Sequence, residues 1–382
     1  MRITIAMGFF LPMPPVAGGA MEKAWFRLGQ EFVAAGHSVA VVSRRWPGFP
    51  ARETREGMEM IRVPGWSHSR SLPLNLLLDG LWGLRLLRHL PPGDIVACNN
   101  VTLPIHLPYL RPRAGCAVVV LGRMPKGQIR FYRGAARLVA TSDAVADRVA
   151  KECPALRGRT RVFPNPIDWG LNARASAHSS QLVTIGFVGR LHPEKGLELL
   201  LRAAVRLTAE SSLPAWRLVI RGPRSVAHGG GGEDYVRRLE AEFATRLSDH
   251  VAWEPPVYDE SALARCYGAL DIFCYPSLAA KGEGLSVAPL EAMAAGAVPV
   301  LSRLDCYRDM LHEGRNGFTF DHTAPTADAE LASILARLIR DSGLRSTLAA
   351  EAQTDTRRFD YGVVARDLLA DFGQLTSRPK PR

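Results

Sequence analysis

Short apolar runs alternate with amphipathic stretches along the chain, and the pattern starts over once. The first half opens with a predicted strand at residues 3–9, the loop "LPMPPVAGGA" and the helix "MEKAWFRLGQEFVAAG", which Gly36 stops. "HSVAVVSRR" follows as a second strand and completes a β-α-β unit. From Leu182 the scheme repeats: strand "LVTIGFVG", loop "RLHPEK", helix "GLELLLRAAVRLTAE", strand "WRLVIRG". Strands alternating with helices imply parallel sheets covered on both faces. Two such starts predict an α/β protein of two Rossmann-like domains. The polar segment "ARASAHSSQ" is the expected linker. It gives domains at 1–175 and 181–355, with a C-terminal helix and basic tail at 356–382.

In open parallel sheets, ligands sit beyond the carboxyl ends of the strands. "FVGRLHPEKG" places Arg190 and Lys195 there, just before a helix expected to start near Gly196. A helix N-terminus exposes unpaired amides, and an arginine fork with a lysine point charge suits a diphosphate. The alternative is two solvated cations, with Arg190 paired to Glu194. Further on, the helix "ESALARCYGA" and strand "DIFCYPS" lead into the loop "LAAKGEGL" and a helix from near Ser286. Pro289 fits only in its first turn. Between Gly284 and Leu301 only Glu291 ionises, eight residues after Glu283. A carboxylate packed among small residues needs donors, and ribose hydroxyls supply them. A solvated stripe is the alternative for Glu291. Neither half carries G-x-G-x-x-G, which argues against an NAD or FAD enzyme. The run "HGGGGED" lacks a following lysine-serine pair and reads as a loop rather than a phosphate cradle.

Composition changes little, since 47% hydrophobic and 22% charged residues are ordinary for a globular protein. Six scattered cysteines without C-x-x-C point to reduced thiols rather than disulfides or zinc. The N-terminus lacks the pattern of a signal peptide. The longest apolar stretch, "LPLNLLLDGLWGLRLLRHL", is interrupted by Asn75, Asp79, Arg85 and Arg88. It falls short of a membrane span, so a core helix is expected, with a membrane-surface helix as the alternative. Charge is more telling. Residues 1–175 carry 24 Lys+Arg against 11 Asp+Glu, a net +13, while the remainder is near neutral. That asymmetry points the first half toward an anionic partner.

Arg190 and Lys195 in "VGRLHPEKG", with Glu283 and Glu291 in "EGLSVAPLEAMAAGAVPV", resemble glycosyltransferase family 4, whose members are retaining enzymes of GT-B fold. "PVAGGAMEKAWFRLGQEFVAAGHSV", "TSDAVADRV" and "FPNPID" are similar to further family segments, so the resemblance spans essentially the whole chain. It implies two Rossmann-like domains facing across a cleft. It also implies a UDP- or GDP-linked sugar as donor substrate, and no other cofactor. Arg190 and Lys195 would bind the diphosphate and stabilise the leaving group, and Glu283 would contact the sugar near the reacting centre. Glu291 would hold the ribose, and the amides of Gly284, Leu285 and Ser286 would support phosphate and sugar. Gly18 and Gly19 would approach the donor from the first half, and Gly222 and Val257 would flank the base.

No D-x-D occurs, so no metal ligands are visible and metal-independent transfer is expected. One departure stands out. The family often has a histidine after a first-domain strand, whereas "CAVVVL" here runs into "GRMPKGQIR". Gly122, Arg123 and Lys126 are candidates to line that place, and "CNNVTLPIH" offers Asn99, Asn100 and His106. The expected acceptor is a glycan, glycolipid or small molecule; nucleic acid is not expected. The expected location is the cytoplasm, with peripheral contact at the anionic inner membrane face. A GT-B-fold sugar-nucleotide epimerase, or a transferase acting on a soluble small molecule, is the alternative.

Overall fold

The computed structural model describes residues 1–16, 19–67, 69, 71–175, 182–247, 249–279 and 283–377. The chain forms two units, one of residues 1–166 with the chain from Tyr361 onward, the other Ile167–Asp360.

The strands of the first unit are β1 (Arg2–Ala6), β2 (Ser38–Arg44), β3 (Arg52–Arg55), β4 (Met58–Val63), β5 (Ile95–Cys98), β6 (Cys116–Leu121), β7 (Arg137–Ala140) and β8 (Thr160–Val162). They form one sheet in the order β3-β4-β2-β1-β5-β6-β7-β8, parallel except for the β3–β4 hairpin. That hairpin lies outside the sequence expectation. It turns at Glu56 and Gly57, both with positive φ (52° and 77°), the signature of a two-residue type I′ turn. Side chains alternate between two cores: Ala6, Val96 and Val119 face one, Ile5, Ile95 and Val118 the other. Burial on both faces explains the near-continuous apolar strands.

The second core is completed by the helix Tyr361–Thr376, which lies beside the helix Ala20–Ala34. Phe372 meets Phe32 edge-on at 6.2 Å, and Asp371 pairs with Arg137 of β7 at 2.7 Å. Both charged side chains are buried, so each needs the other. This places the C-terminal helix in the first unit, where the sequence suggested a separate terminal element.

The second unit holds β9 (Val183–Val188), β10 (Trp216–Arg221), β11 (Val251–Glu254), β12 (Ile272–Tyr275), β13 (Val298–Ser302) and β14 (Phe318–Phe320). All are parallel, in the order β11-β10-β9-β12-β13-β14. The order reverses between β9 and β12, which makes that junction the switch point of the sheet. The unit begins earlier than the expected linker. Ile167 bridges Asp360 and donates to the Phe359 carbonyl at 2.8 Å, and Ala173 lies in the helix Trp169–Arg174. The rest of the expected linker, 176–181, falls outside the described residues.

Asp371→Ala leaves Arg137 charged and buried without a partner. A loss of about 3–5 kcal/mol of stability is expected, read by urea unfolding. An unchanged midpoint would mean that the pair does not hold the helix.

Candidate active site

The second unit's candidate residues stand on four neighbouring strand ends, and backbone contacts draw these loops together. Gly222, after β10, presses against the backbone of Gly189, after β9; a Cβ there would overlap the Gly189 carbonyl oxygen. The Leu191 N–H donates to the Pro223 carbonyl at 3.0 Å. Across the switch point, Gly196 adopts a left-handed conformation (φ 69°) with no room for a Cβ beside the Pro276 carbonyl oxygen. From Gly196 the helix Leu197–Thr208 departs. The Leu278 N–H, after β12, donates to the Glu194 carbonyl at 2.8 Å. Arg221 reaches the Pro255 carbonyl at 3.0 Å and so ties in the loop bearing half-buried Val257.

Into this frame Lys195 and Glu283 project as a buried ion pair. Their side chains are only 6% and 12% exposed, so each relies on the other for charge compensation. Glu283 also accepts from Ser277 Oγ at 3.1 Å and from Ser286 Oγ at 2.7 Å. Ser286 precedes the eight-residue helix Val287–Ala294 as its N-cap. Its Oγ makes no capping bond, being engaged with Glu283 and, at 3.1 Å, with the Tyr307 hydroxyl. The Tyr275 ring lies 5.2 Å from Lys195 Nζ. Burial pushes the Glu283 carboxyl up, but Lys195 and the two serine hydroxyls outweigh it and hold it below its ordinary range. Burial likewise favours a neutral Lys195, but Tyr275 and Glu283 outweigh it and raise its pKa. Both shifts keep the pair ionised at neutral pH.

Arg190 is more open. Its side chain is 44% exposed, pairs with Glu194 at 2.6 Å and donates to the Gly229 carbonyl at 2.9 Å. The glycine run thus receives Arg190, as a loop. Glu291 stands half-buried on Val287–Ala294, and Tyr267 hydrogen-bonds to it. Burial first, then the charge and hydrogen bond of Glu291, push the Tyr267 phenol well above its usual range. Gly284 and Leu285 are buried in the turn before this helix. The structure therefore brings Arg190, Lys195, Glu283, Gly284, Leu285, Ser286, Glu291, Gly222 and Val257 to one end of one sheet. It adds Ser277, Tyr275, Tyr307 and Tyr267, which the sequence did not single out. The only clue to them is that Tyr275 and Ser277 lie at the end of an apolar strand.

In the first unit Gly19 caps the helix Ala20–Ala34 with φ 99°, while Gly18 lies outside the described residues. Nearby Glu22, also unanticipated, has its pKa raised by burial. At the carboxyl end of β5, beside the β1/β5 switch point, Asn99 Oδ1 and both polar side-chain atoms of Asn100 are buried with no hydrogen-bond partner among the described residues. Buried polar atoms are nearly always satisfied, by protein, water or ligand, so these three atoms form a polar spot at the strand end. After β6, Gly122 abuts Met21, whereas Arg123 and Lys126 are exposed. Among the described residues no group of three or more His, Cys, Asp or Glu side chains is placed to hold a metal ion.

Comparison with known proteins follows the same division. The family description "Glycosyltransferase Family 4" matches residues 18–169, and "Glycosyl transferases group 1" matches residues 172–355. A D-inositol 3-phosphate glycosyltransferase of Xylanimonas cellulosilytica is 28% identical over 73% of this chain and 68% of its own length. A phosphatidyl-myo-inositol mannosyltransferase of Mycolicibacterium smegmatis is 32% identical over 49% of this chain and 44% of its own length. The chain thus spans about two thirds of the first relative and under half of the second. Anabaena HepE, solved with UDP-glucose, superposes with a TM-score of 0.73 at 19% identity, covering 98% of this chain and 100% of its own. The two parallel-sheet units are those of the GT-B fold, and the chain belongs to glycosyltransferase family 4, its second half being the group 1 module.

Proposed function

We propose that the protein transfers a sugar from a UDP- or GDP-linked donor to an acceptor hydroxyl, with retention of configuration and without a metal. The buried Lys195–Glu283 pair at the switch point carries this reading. As the bond from the anomeric carbon to the diphosphate breaks, its electron pair stays on the phosphate oxygen. Fixed positive charge there lowers the barrier directly. An ammonium has three donors, and Lys195 is oriented by Glu283 before any ligand arrives. Arg190 adds a movable fork. Its exposed pair with Glu194 is worth only ~0.2–1 kcal/mol, so exchanging it for a phosphate costs little. Glu283 meets the sugar, Glu291 holds the ribose, and the Gly284–Ser286 turn supports the phosphate.

For the acceptor, the relatives' names suggest an inositol bearing a phosphate or a lipid. Asn99 Oδ1 and the side-chain amide of Asn100 are suited to such a polyol. Both curated relatives are named as transferases, which favours transfer over epimerisation. Incubation with a panel of nucleotide sugars tests the proposal. Acceptor-dependent release of UDP or GDP supports it, and sugar interconversion without acceptor overturns it.

Glu291→Gln is expected to weaken donor binding by roughly tenfold to a hundredfold, the worth of a hydrogen bond to a charged group. Glu283→Gln is expected to slow turnover more than it weakens donor binding. Calorimetry with UDP and GDP, alongside steady-state rates, separates the two effects. Transfer is expected to persist in EDTA; loss on chelation with recovery in magnesium or manganese would contradict the metal-free reading. Asn100→Leu removes two unsatisfied buried atoms, so stability is expected to hold or rise while acceptor KM increases. Unfolding curves and KM measurements check this pair of opposite effects.

A further inference from the structure

The helix Leu72–Leu87 turns Asn75 and Asp79 inward and six of its leucines outward. Asn75 and Asp79 are buried with Trp82, Leu86 and Leu87. The reason lies in the backbone they serve. Asn75 bonds the Ser69 N–H and carbonyl at 2.9 and 2.8 Å. Asp79 accepts from the Thr102 N–H at 2.8 Å, and its own carbonyl accepts from the Thr102 hydroxyl. Trp82 donates to the Met7 carbonyl at 2.9 Å. With that face fixed, Leu74, Leu77, Leu81 and Leu84 form an outward stripe 43–60% exposed, and Leu72 and Leu76 widen it at the N-terminal end. The adjoining helix Leu103–Leu110 packs against this one and ends in exposed Tyr109 and Leu110. Gly134 abuts Tyr109, which sets exposed Phe131 close to the same surface.

The sequence that builds this face is mostly basic, although Glu152 accepts from the Gly127 N–H beside it and Arg137 is buried on Asp371. Residues 63–142 carry ten Lys+Arg and only two acids, Asp79 and Asp94. Asp79 is buried, and Asp94 accepts from the Arg2 amide. Arg88 continues the leucine stripe, Arg111 and Arg113 follow Leu110, and Arg130 and Arg133 flank Phe131, all exposed.

We infer that this face of the first unit docks on an anionic lipid surface. The helix lies in the interfacial plane with its leucines in the acyl boundary and the surrounding arginines at the phosphates. No helix among the described residues is long and apolar enough to cross a membrane, so the contact is one of lying on the bilayer. A second copy of the chain is the competing occupant, and it fits poorly. The 3-4 spacing of the stripe lasts only two heptads, too few for a coiled coil, and the basic surround repels its own kind. The expected core role of this helix holds only for its inner face. The inference rests on the first unit's surface alone and goes beyond the transferase reading.

The test is co-sedimentation of the full chain, without substrates, with phosphatidylcholine vesicles and with vesicles containing phosphatidylglycerol. Binding to the anionic vesicles alone is expected, weakening at high salt. The double variant Leu77→Ser and Leu81→Ser is expected to bind at least ~tenfold less, with its thermal unfolding and its stabilisation by UDP or GDP unchanged. Arg130→Glu with Arg133→Glu is expected to lose the preference for anionic lipid. Equal binding to both vesicles, none to either, or a concentration-dependent dimer that the leucine variant abolishes would overturn the inference. A wild-type protein that binds vesicles yet transfers no sugar would refute the transferase proposal and leave this one standing.

Discussion

The second unit is organised around one ion pair whose members are 88 residues apart in sequence. Isolating either charge where Lys195 and Glu283 sit would cost several kcal/mol, so the loops that carry them are bound to meet. The left-handed Gly196, the Leu278-to-Glu194 hydrogen bond and the two serine hydroxyls on Glu283 all serve that meeting. The loops at the switch point are therefore joined before a ligand enters, and the charge aimed into the site needs no rearrangement to act. Arg190 and its exposed Glu194 partner are the adjustable counterpart.

What could be read from the sequence was what is local. The strands showed as apolar runs, Gly36 and Pro289 marked helix ends, and Ser286 stands immediately before its helix as expected. Even the Arg190–Glu194 pair was visible as an alternative, because its residues are four apart. What could not be read was which distant groups meet. Nothing in "RLHPEK" names Glu283 as the partner of Lys195, and no periodicity assigns the last helix to the first unit. That assignment depends on a buried guanidinium on β7 that finds its carboxylate on Asp371. Asn99 and Asn100 were legible as polar residues at a strand end, but the burial of Asn99 Oδ1 and of the Asn100 amide was not.

The helix Leu72–Leu87 shows how a periodic reading fails. Apolar residues occupy both of its faces, so hydrophobicity alone cannot say which one is inside. The inner face combines the hydrogen bonds of Asn75 and Asp79 to Ser69 and Thr102 with the burial of Trp82, Leu86 and Leu87, and the sum of these leaves four leucines outside. Unmet backbone groups are costly enough to help set the orientation of a helix. Thus the polar interruptions that argued against a membrane span are also part of what turns the apolar face toward solvent.

The return of the last helix to the first unit has a consequence for synthesis. When Pro166 leaves the ribosome, the core formed by Ile5, Phe32, Val41 and Val118 still lacks Tyr361, Val364, Leu368 and Phe372. The intervening residues build the whole second unit, which has all its strands in hand first. At ~5–20 residues per second the first sheet waits on the order of 10–40 s with one face incomplete and Arg137 without its carboxylate. The nascent chain therefore matures from its middle outward, and the half translated first is the half finished last.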